Sequence, residues 1–300
     1  MRNEGMVGSF VFSPDGRYLV GCREGQAPVT ATILAFDLET DVAVEIGEGR
    51  DMRGTPAWLP DSSGFVFSSN ESQEFCGLFL YDLASEQSYT ICATEADVVW
   101  LEPTSASSGL VVLHVDAADR LYKYSGEQTL VEVPLPGRGV ITSYVPPPML
   151  TADGRYCTFN LTSPVDSGSV WRCDLETGDS VRLSSNSGAV PIETLAVPSR
   201  HRVRSFDGVE APVSLYRMPC LEEAGGDSQQ GWPALVCLHG GPEDNIRLGY
   251  EPRTQTLVNR GYSVAPWECF QNVHRCPSVS RSGGRTKGGV HQRPLKSAHV

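Results

Sequence analysis

The run Phe12 to Tyr18, FSPDGRY, returns as Leu150 to Tyr156, LTADGRY, in altered form as Leu59 to Phe65, LPDSSGF, and more faintly from Glu102 to Leu110. Self-similarity at a period of roughly 40 to 50 residues is a severe constraint, because a chain with such a period folds as stacked supersecondary units. The turn glycines Gly16, Gly64, Gly109 and Gly154 are spaced by 48, 45 and 45 positions. Each follows a turn segment and precedes a β-prone run, starting at Tyr18, Phe65, Leu110 and Tyr156. This is hairpin chemistry, since Asp and Gly tolerate the positive φ of a tight turn. The four glycines are therefore predicted to occupy equivalent hairpin turns.

A second strand follows in each unit: Ile33 to Thr40 (ILAFDLET), Leu78 to Ser85 (LFLYDLAS), Leu121 to Gly126 (LYKYSG) and Val170 to Thr177 (VWRCDLET). A short turn and a further strand come next, such as Val42 to Ile46 or Ser180 to Leu183. Four short strands in about 45 residues make one propeller blade, and blades bury their flat faces against their neighbours. A β-solenoid or sandwich is the alternative, but the regular turn spacing and the Asp-Leu-Glu-Thr echo fit blades better. Four blades rarely close a ring. The first unit begins almost at Met1, so the expectation is a ring that lacks its leading blades.

From Arg200 the repeat stops. His201 to Tyr216 reads as a hairpin around Asp207-Gly208, with Val209, Ala211, Val213 and Leu215 on alternating positions. Glu222 to Gly231 is a polar loop. Pro233 to Leu238 is almost continuously apolar, the pattern of a parallel strand covered on both faces. It runs into His239, Gly240, Gly241 and Pro242. Two glycines directly after a buried strand let the backbone turn sharply and approach a substrate; in lipases and esterases the equivalent loop gives an N–H to the oxyanion hole. Thr254 to Arg260 then reads as a helix, Gly261 as its C-terminal cap and Tyr262 to Pro266 as the start of another strand.

The segments SFDGVEAPVSLYRMP, PALVCLHGGP and LVNRGYSVAPW resemble the start of the peptidase domain of the prolyl-oligopeptidase family, in its acylaminoacyl-peptidase-like branch. The preceding units are similar to the blades that come before that domain. The resemblance covers roughly residues 8 to 267. It implies a mainly β chain, a partial β-propeller of about four blades followed by the first part of an α/β-hydrolase domain. It also implies a serine peptidase acting on short peptides, with no cofactor and no metal, and His239, Gly240, Gly241 and Pro242 as the oxyanion loop. Residues 1–199 are then the blades, 200–268 the N-terminal part of the hydrolase domain and 269–300 a basic, disordered tail.

The family's chain order places Ser, Asp and His after that loop, and here the agreement fails. No Gly-x-Ser-x-Gly occurs in the sequence. The nearest imitation, Ser280 to Gly284 (SRSGG), lacks the leading glycine and has no strand before it, so Ser282 is not expected to be a nucleophile. His274, His291 and His299 lie in a segment without acidic residues, and no triad can be assembled from them. His114 and His201 read as structural. The expectation is a family member cut short before its triad, with no catalytic residues of its own and no activity as written. The alternative is a non-catalytic propeller that serves as an interaction module.

Charge narrows the partners. The formal net charge is −12, with 36 acidic and 24 basic residues, and no basic face is available to neutralise phosphates. All the acids lie at or before Glu268, whereas residues 269–300 hold six Lys or Arg. No stretch has the roughly 18 apolar residues needed to span a bilayer, and the N-terminus carries no apolar run of signal length. A cytoplasmic protein with no nucleic-acid or membrane partner is expected. Nine cysteines without CxxC spacing read as free thiols rather than a disulfide framework or a zinc site. The glycosylation-like triplets at Asn70 and Asn160 read as chance occurrences.

Overall fold

The computed structural model describes residues 7–25, 30–47, 54, 56–71, 75–126, 129–141, 147–184, 190–204, 208, 210–217, 233–238 and 246–267. Four antiparallel four-stranded sheets follow one another along the chain. The first blade is β1 (Val7–Phe12), β2 (Tyr18–Glu24), β3 (Ala31–Asp37) and β4 (Val42–Ile46). The second is β5 (Ala57–Trp58), β6 (Gly64–Ser69), β7 (Gly77–Asp82) and β8 (Gln87–Cys92). The third is β9 (Asp97–Ser105), β10 (Ser108–Val115), β11 (Ala118–Ser125) and β12 (Thr129–Val133). The fourth is β13 (Met149–Leu150), β14 (Tyr156–Ser163), β15 (Asp166–Asp174) and β16 (Ser180–Arg182). Strand order within each sheet is sequence order, the meander of a propeller blade.

Each pair of consecutive blades shares one apolar cluster. Val20, Ile33 and Ala35 of the first blade meet Phe65, Phe67 and Phe79 of the second. Val66, Leu78 and Cys92 of the second meet Val111 and Leu113 of the third. Leu110, Val112 and Leu121 of the third meet Phe159, Cys157 and Cys173 of the fourth. The period-2 alternation of a strand produces this, because odd and even positions of one strand face opposite neighbours. Phe65 stacks on Tyr81 with ring centroids 5.2 Å apart, and the Trp58 indole donates to the Val11 carbonyl at 3.0 Å, joining the second blade to the first.

The predicted equivalence of the four glycines holds for two of them. Gly16 and Gly154 adopt φ of +73° and +69° in matching turns, where the N–H groups of Ser13 and Thr151 donate to the carbonyls of Tyr18 and Tyr156, each at 2.9 Å. In the second blade the same bond runs from Leu59 to Gly64, so Ser62, at φ 61°, stands where Gly16 does. Gly64 instead opens β6, where a Cβ would lie 2.2 Å from the Tyr81 carbonyl oxygen. Gly109 is the second residue of β10, and its Cβ would lie 2.4 Å from the Glu102 carbonyl oxygen. Asp, rather than Gly, is the common element of the turn. Asp15, Asp61 and Asp153 accept the N–H of Arg17, Ser63 and Arg155 at 3.0, 3.0 and 3.1 Å. That bond closes an Asx-turn on its own.

The Asp-Leu-Glu-Thr echo closes the outer hairpins in the same way. Asp37 accepts the N–H of Glu39, Asp174 that of Glu176, and Asp82 that of Ser85. Four residues on, Asp41, Glu86 and Gly178 take the left-handed conformation. Arg17 and Arg155 reach Asp37 and Asp174 across their blades at 2.7 and 3.0 Å. The Arg17 hydrogen bond is the largest influence on Asp37 and holds its carboxyl at about 2.

The fifth sheet breaks the pattern. Its order is β17 (Ser199–Arg204), β18 (Glu210–Leu215), β20 (Ser263–Trp267), β19 (Ala234–Leu238), and β19 and β20 run parallel. The hairpin, helix and strand expected after residue 200 are present, with the helix α1 at Pro252–Asn259. Glu251 caps its start by accepting the Arg253 N–H at 3.1 Å, Pro252 holds the first turn, and Gly261 at φ +89° ends it. The expectation of a covered strand at Pro233–Leu238 is corrected. β19 is exposed, Val236 at 61% and Leu238 at 65%. It is the outermost strand in the sheet, while α1 packs through Val258 onto Val264, Tyr216 and Ala196, over the inner strands.

Candidate functional site

The parallel pair β19 and β20 sets the site where chemistry is expected. Ala234 lies opposite Ser263 and Leu238 opposite Trp267, so both strands end at the same level. In open α/β sheets, ligands bind outside the carboxyl ends of the parallel strands. His239, Gly240, Gly241 and Pro242 come directly after β19 and lie outside the described residues, as do Ser282, His274, His291 and His299.

The two remaining sequence-flagged histidines have local partners. His114 Nδ1 lies 2.8 Å from Asp119 Oδ1, and the Asp119 Oδ2 accepts the Ile141 N–H at 2.9 Å. The pair is buried and ties the third blade to the segment leading into the fourth. His201 Nε2 lies 2.8 Å from the Ser199 hydroxyl on exposed β17. Among the described residues no hydroxyl is bonded to His114 and no carboxylate to His201. The acid–imidazole and imidazole–hydroxyl halves of a triad therefore occur apart among the described residues. Nor does any cluster of three or more His, Cys, Asp or Glu among the described residues have metal-binding geometry.

The junction between the blades and the fifth sheet is built from residues that sequence reading passed over. Gln255 of α1 is buried and fully bonded: its Oε1 accepts the Ala196 N–H at 2.8 Å, and its Nε2 donates to the carbonyls of Pro164 and Ala196 at 2.8 and 2.9 Å. Asp116 and Ala117 form the turn between β10 and β11 with φ of 51° and 65°. The Ala117 carbonyl accepts the Leu248 N–H at 2.7 Å. Asp116 joins Arg200, at 2.8 Å, and Arg138. Burial works to raise the Asp116 carboxyl, but these two guanidinium groups outweigh it and leave it below the usual carboxylate range. Burial pushes the Tyr216 hydroxyl, beneath α1, up to about 12. A buried Gln at a helical position facing its own domain linker was the available signal, yet an isolated glutamine has no motif that distinguishes it.

At the same junction lies a cavity of about 530 Å³ between the fourth blade, the segment that enters it, the 190–195 linker and Tyr250. Its wall includes Leu161, Val165 and Leu195, with Trp171 and Arg182 from the outer strands of the blade. A second cavity of about 490 Å³ lies on the opposite side of the third and fourth blades, beside Lys123 and Arg155.

No family profile and no curated protein sequence matches the chain. Solved structures do. The chain is similar to a puromycin hydrolase S511A mutant complexed with PGG, at TM-score 0.72 and 18% identity, over 90% of this chain and 43% of that one. Dipeptidyl peptidase 4 from Porphyromonas gingivalis matches at TM-score 0.69 and 13% identity, over 89% and 38%. Oligopeptidase B from Trypanosoma brucei matches at 0.63 and 15%, over 89% and 39%. The chain thus spans about two fifths of the length of these structures. The chain shares the mainly β, propeller-like fold of the matched parts of these structures.

Proposed function

We propose that this chain is the substrate-admitting portion of a prolyl-oligopeptidase-type serine peptidase and does not hydrolyse peptides by itself. The single observation that carries this reading is the fifth sheet, in which parallel β19 and β20 follow directly on four propeller blades in the order β17-β18-β20-β19. The similar solved structures support it. In this reading residues 1–199 are the blades, 200–268 the opening of the hydrolase domain and 269–300 a tail. His239, Gly240, Gly241 and Pro242 supply one oxyanion N–H, and the blades restrict access to short peptides.

Acyl transfer in this class needs a serine with a base in hydrogen-bond reach, itself oriented by an acid. The sequence contains no Gly-x-Ser-x-Gly, and Ser199 with His201 lacks the acid. A cytoplasmic setting belongs to the reading, supported by thiols such as Cys157 and Cys173, which face each other across β14 and β15 and are free. Sequencing transcripts beyond codon 267 in all three frames tests the family assignment. A Gly-x-Ser-x-Gly elbow followed by Asp and His is the expected result, and its absence from every frame overturns the assignment. A fluorophosphonate probe tests the inactivity of the chain as it stands: no adduct should form, and a stoichiometric one would refute it.

A further inference from the structure

Around Asp166, Arg182 and Tyr250 the junction cavity offers more unpaired donors than acceptors. The Asp166 carboxylate is spent: Oδ1 accepts the Gly168 N–H at 3.0 Å, and Oδ2 accepts the Ser169 hydroxyl at 2.8 Å and Arg182 Nη2 at 3.1 Å. Arg182 Nε donates to the Ser184 carbonyl at 3.1 Å, and Nη2 is also bonded to the Ser169 hydroxyl. Its Nη1 has no partner among the described residues, nor has the Tyr250 hydroxyl. The Trp171 indole N–H is buried with no acceptor, and the Arg182 guanidinium lies 5.8 Å from that ring's centroid. The indole N–H is sealed from the cavity, so the free capacity that faces it is a guanidinium NH2 and a phenol, both able to donate. Beside them run the apolar side chains of Leu161, Val165, Ile192 and Leu195. A group that only accepts, attached to an apolar body, complements this wall, and the carboxylate is that group.

We propose that this cavity binds a short peptide by its free C-terminal carboxylate, with Arg182 Nη1 as the anion partner and the apolar linker side chains holding the terminal residues. A peptide carbonyl also offers an acceptor to Tyr250, which the hydrocarbon of a simple alkyl carboxylate would leave unmatched. The volume, about 530 Å³, is that of a small-ligand site, and such sites favour domain junctions. Every peptide hydrolysis releases a product with a new carboxylate, so the site is suited to hold product at the base of the fourth blade. The choice of a peptide as ligand rests on the proposed family reading; the donor inventory does not.

The test is calorimetric titration of the full chain with N-acetyl-Leu-Leu bearing a free carboxylate and with its C-terminal amide. The acid should bind at least tenfold more tightly than the amide. Arg182→Gln should bring the acid-to-amide affinity ratio to about one. Because Arg182 also holds Asp166, a fold check by thermal unfolding accompanies that variant. Ile192→Glu, at a residue 62% exposed on the rim, gives an independent route and should weaken the acid at least tenfold by repulsion. Equal binding of acid and amide, no binding of either at millimolar concentration, or full acid affinity in Ile192→Glu would each overturn the proposal. If transcripts reveal an elbow but the acid does not bind, this site falls alone. If the acid binds and no frame contains an elbow, the family reading falls alone.

Discussion

Strand β6 of the second blade and strand β19 of the fifth sheet are both short and rich in apolar residues, and their environments are opposite. All six residues of β6 are buried, with Phe65 and Phe67 facing the first blade and Val66 the third. In β19 only Leu235 is even partly covered. An apolar run therefore records what a strand needs against its faces, and the neighbours decide whether it gets it. Blades supply neighbours on both sides by repetition. Among the described residues the fifth sheet has one helix, placed over its inner strands.

The largest expected effect tests the blade side of this contrast. Phe65→Ala removes an aromatic ring from the core shared by two blades and should cost about 3–5 kcal/mol in urea unfolding. The matching Val236→Ala in β19 should change stability by less than about 0.5 kcal/mol. Comparable losses at the two positions would erase the distinction drawn between the strands.

Next in size is the junction. Gln255→Ala removes the partner of the Ala196 N–H and of the carbonyls of Ala196 and Pro164, and with water entering the vacated space the loss should be about 1–3 kcal/mol. Limited proteolysis should then cut around the 190–200 linker well before the blades. Unchanged protease resistance there would mean that α1 is held by its apolar contacts alone.

How far the sequence foretold all this follows from the same contrast. The blades were legible because strand periodicity and Asx-turn chemistry are local, and Asp15, Asp61 and Asp153 mark the inner hairpins of the first, second and fourth blades. Aligning on glycine misplaced the second unit by two residues, since Ser62 can take the left-handed position once Asp61 fixes the turn. Helix α1 was visible from Gly261. The exposure of β19 was not visible, because cover depends on strand order, and order is set by contacts remote in sequence. Gln255 and the donor-lined cavity were invisible for the same reason: their partners, Pro164, Ala196 and Asp166, lie far away along the chain or carry no motif.

A smaller effect concerns the open edge. Leu238→Lys places a charge on an exposed edge strand, a device that discourages edge-to-edge pairing. Light scattering at rising concentration should show less self-association in the variant than in the parent, with the unfolding midpoint unchanged. A parent that stays monomeric throughout would show that the edge is harmless.

The smallest effect is acidic. Asp37 titrates near 2 because Arg17 stabilises its charged form, while an unfolded aspartate titrates near 3.8. A depressed carboxylate contributes fully above its unfolded value, and the contribution disappears as pH falls from about 4 to 2. Hydrogen bonds in the blade turns also lower Asp15, Asp61, Asp82, Asp153 and Asp174. Urea midpoints should therefore slip for the blades over that interval, and Asp37→Asn should flatten part of the slope. A slope unaffected by the substitution would move the acid sensitivity elsewhere.

The three interblade clusters join only sequential neighbours, which makes the array a line of couplings with nearest-neighbour reach. Damage in such a line is felt by distance along it. A lesion at Phe65 should loosen amide protection in the first two blades most, the third less, and the fourth blade, with the junction on the third and fourth, least. Mechanical load should follow the same rule, with blades peeling in order from whichever end is pulled and no single rupture of the whole.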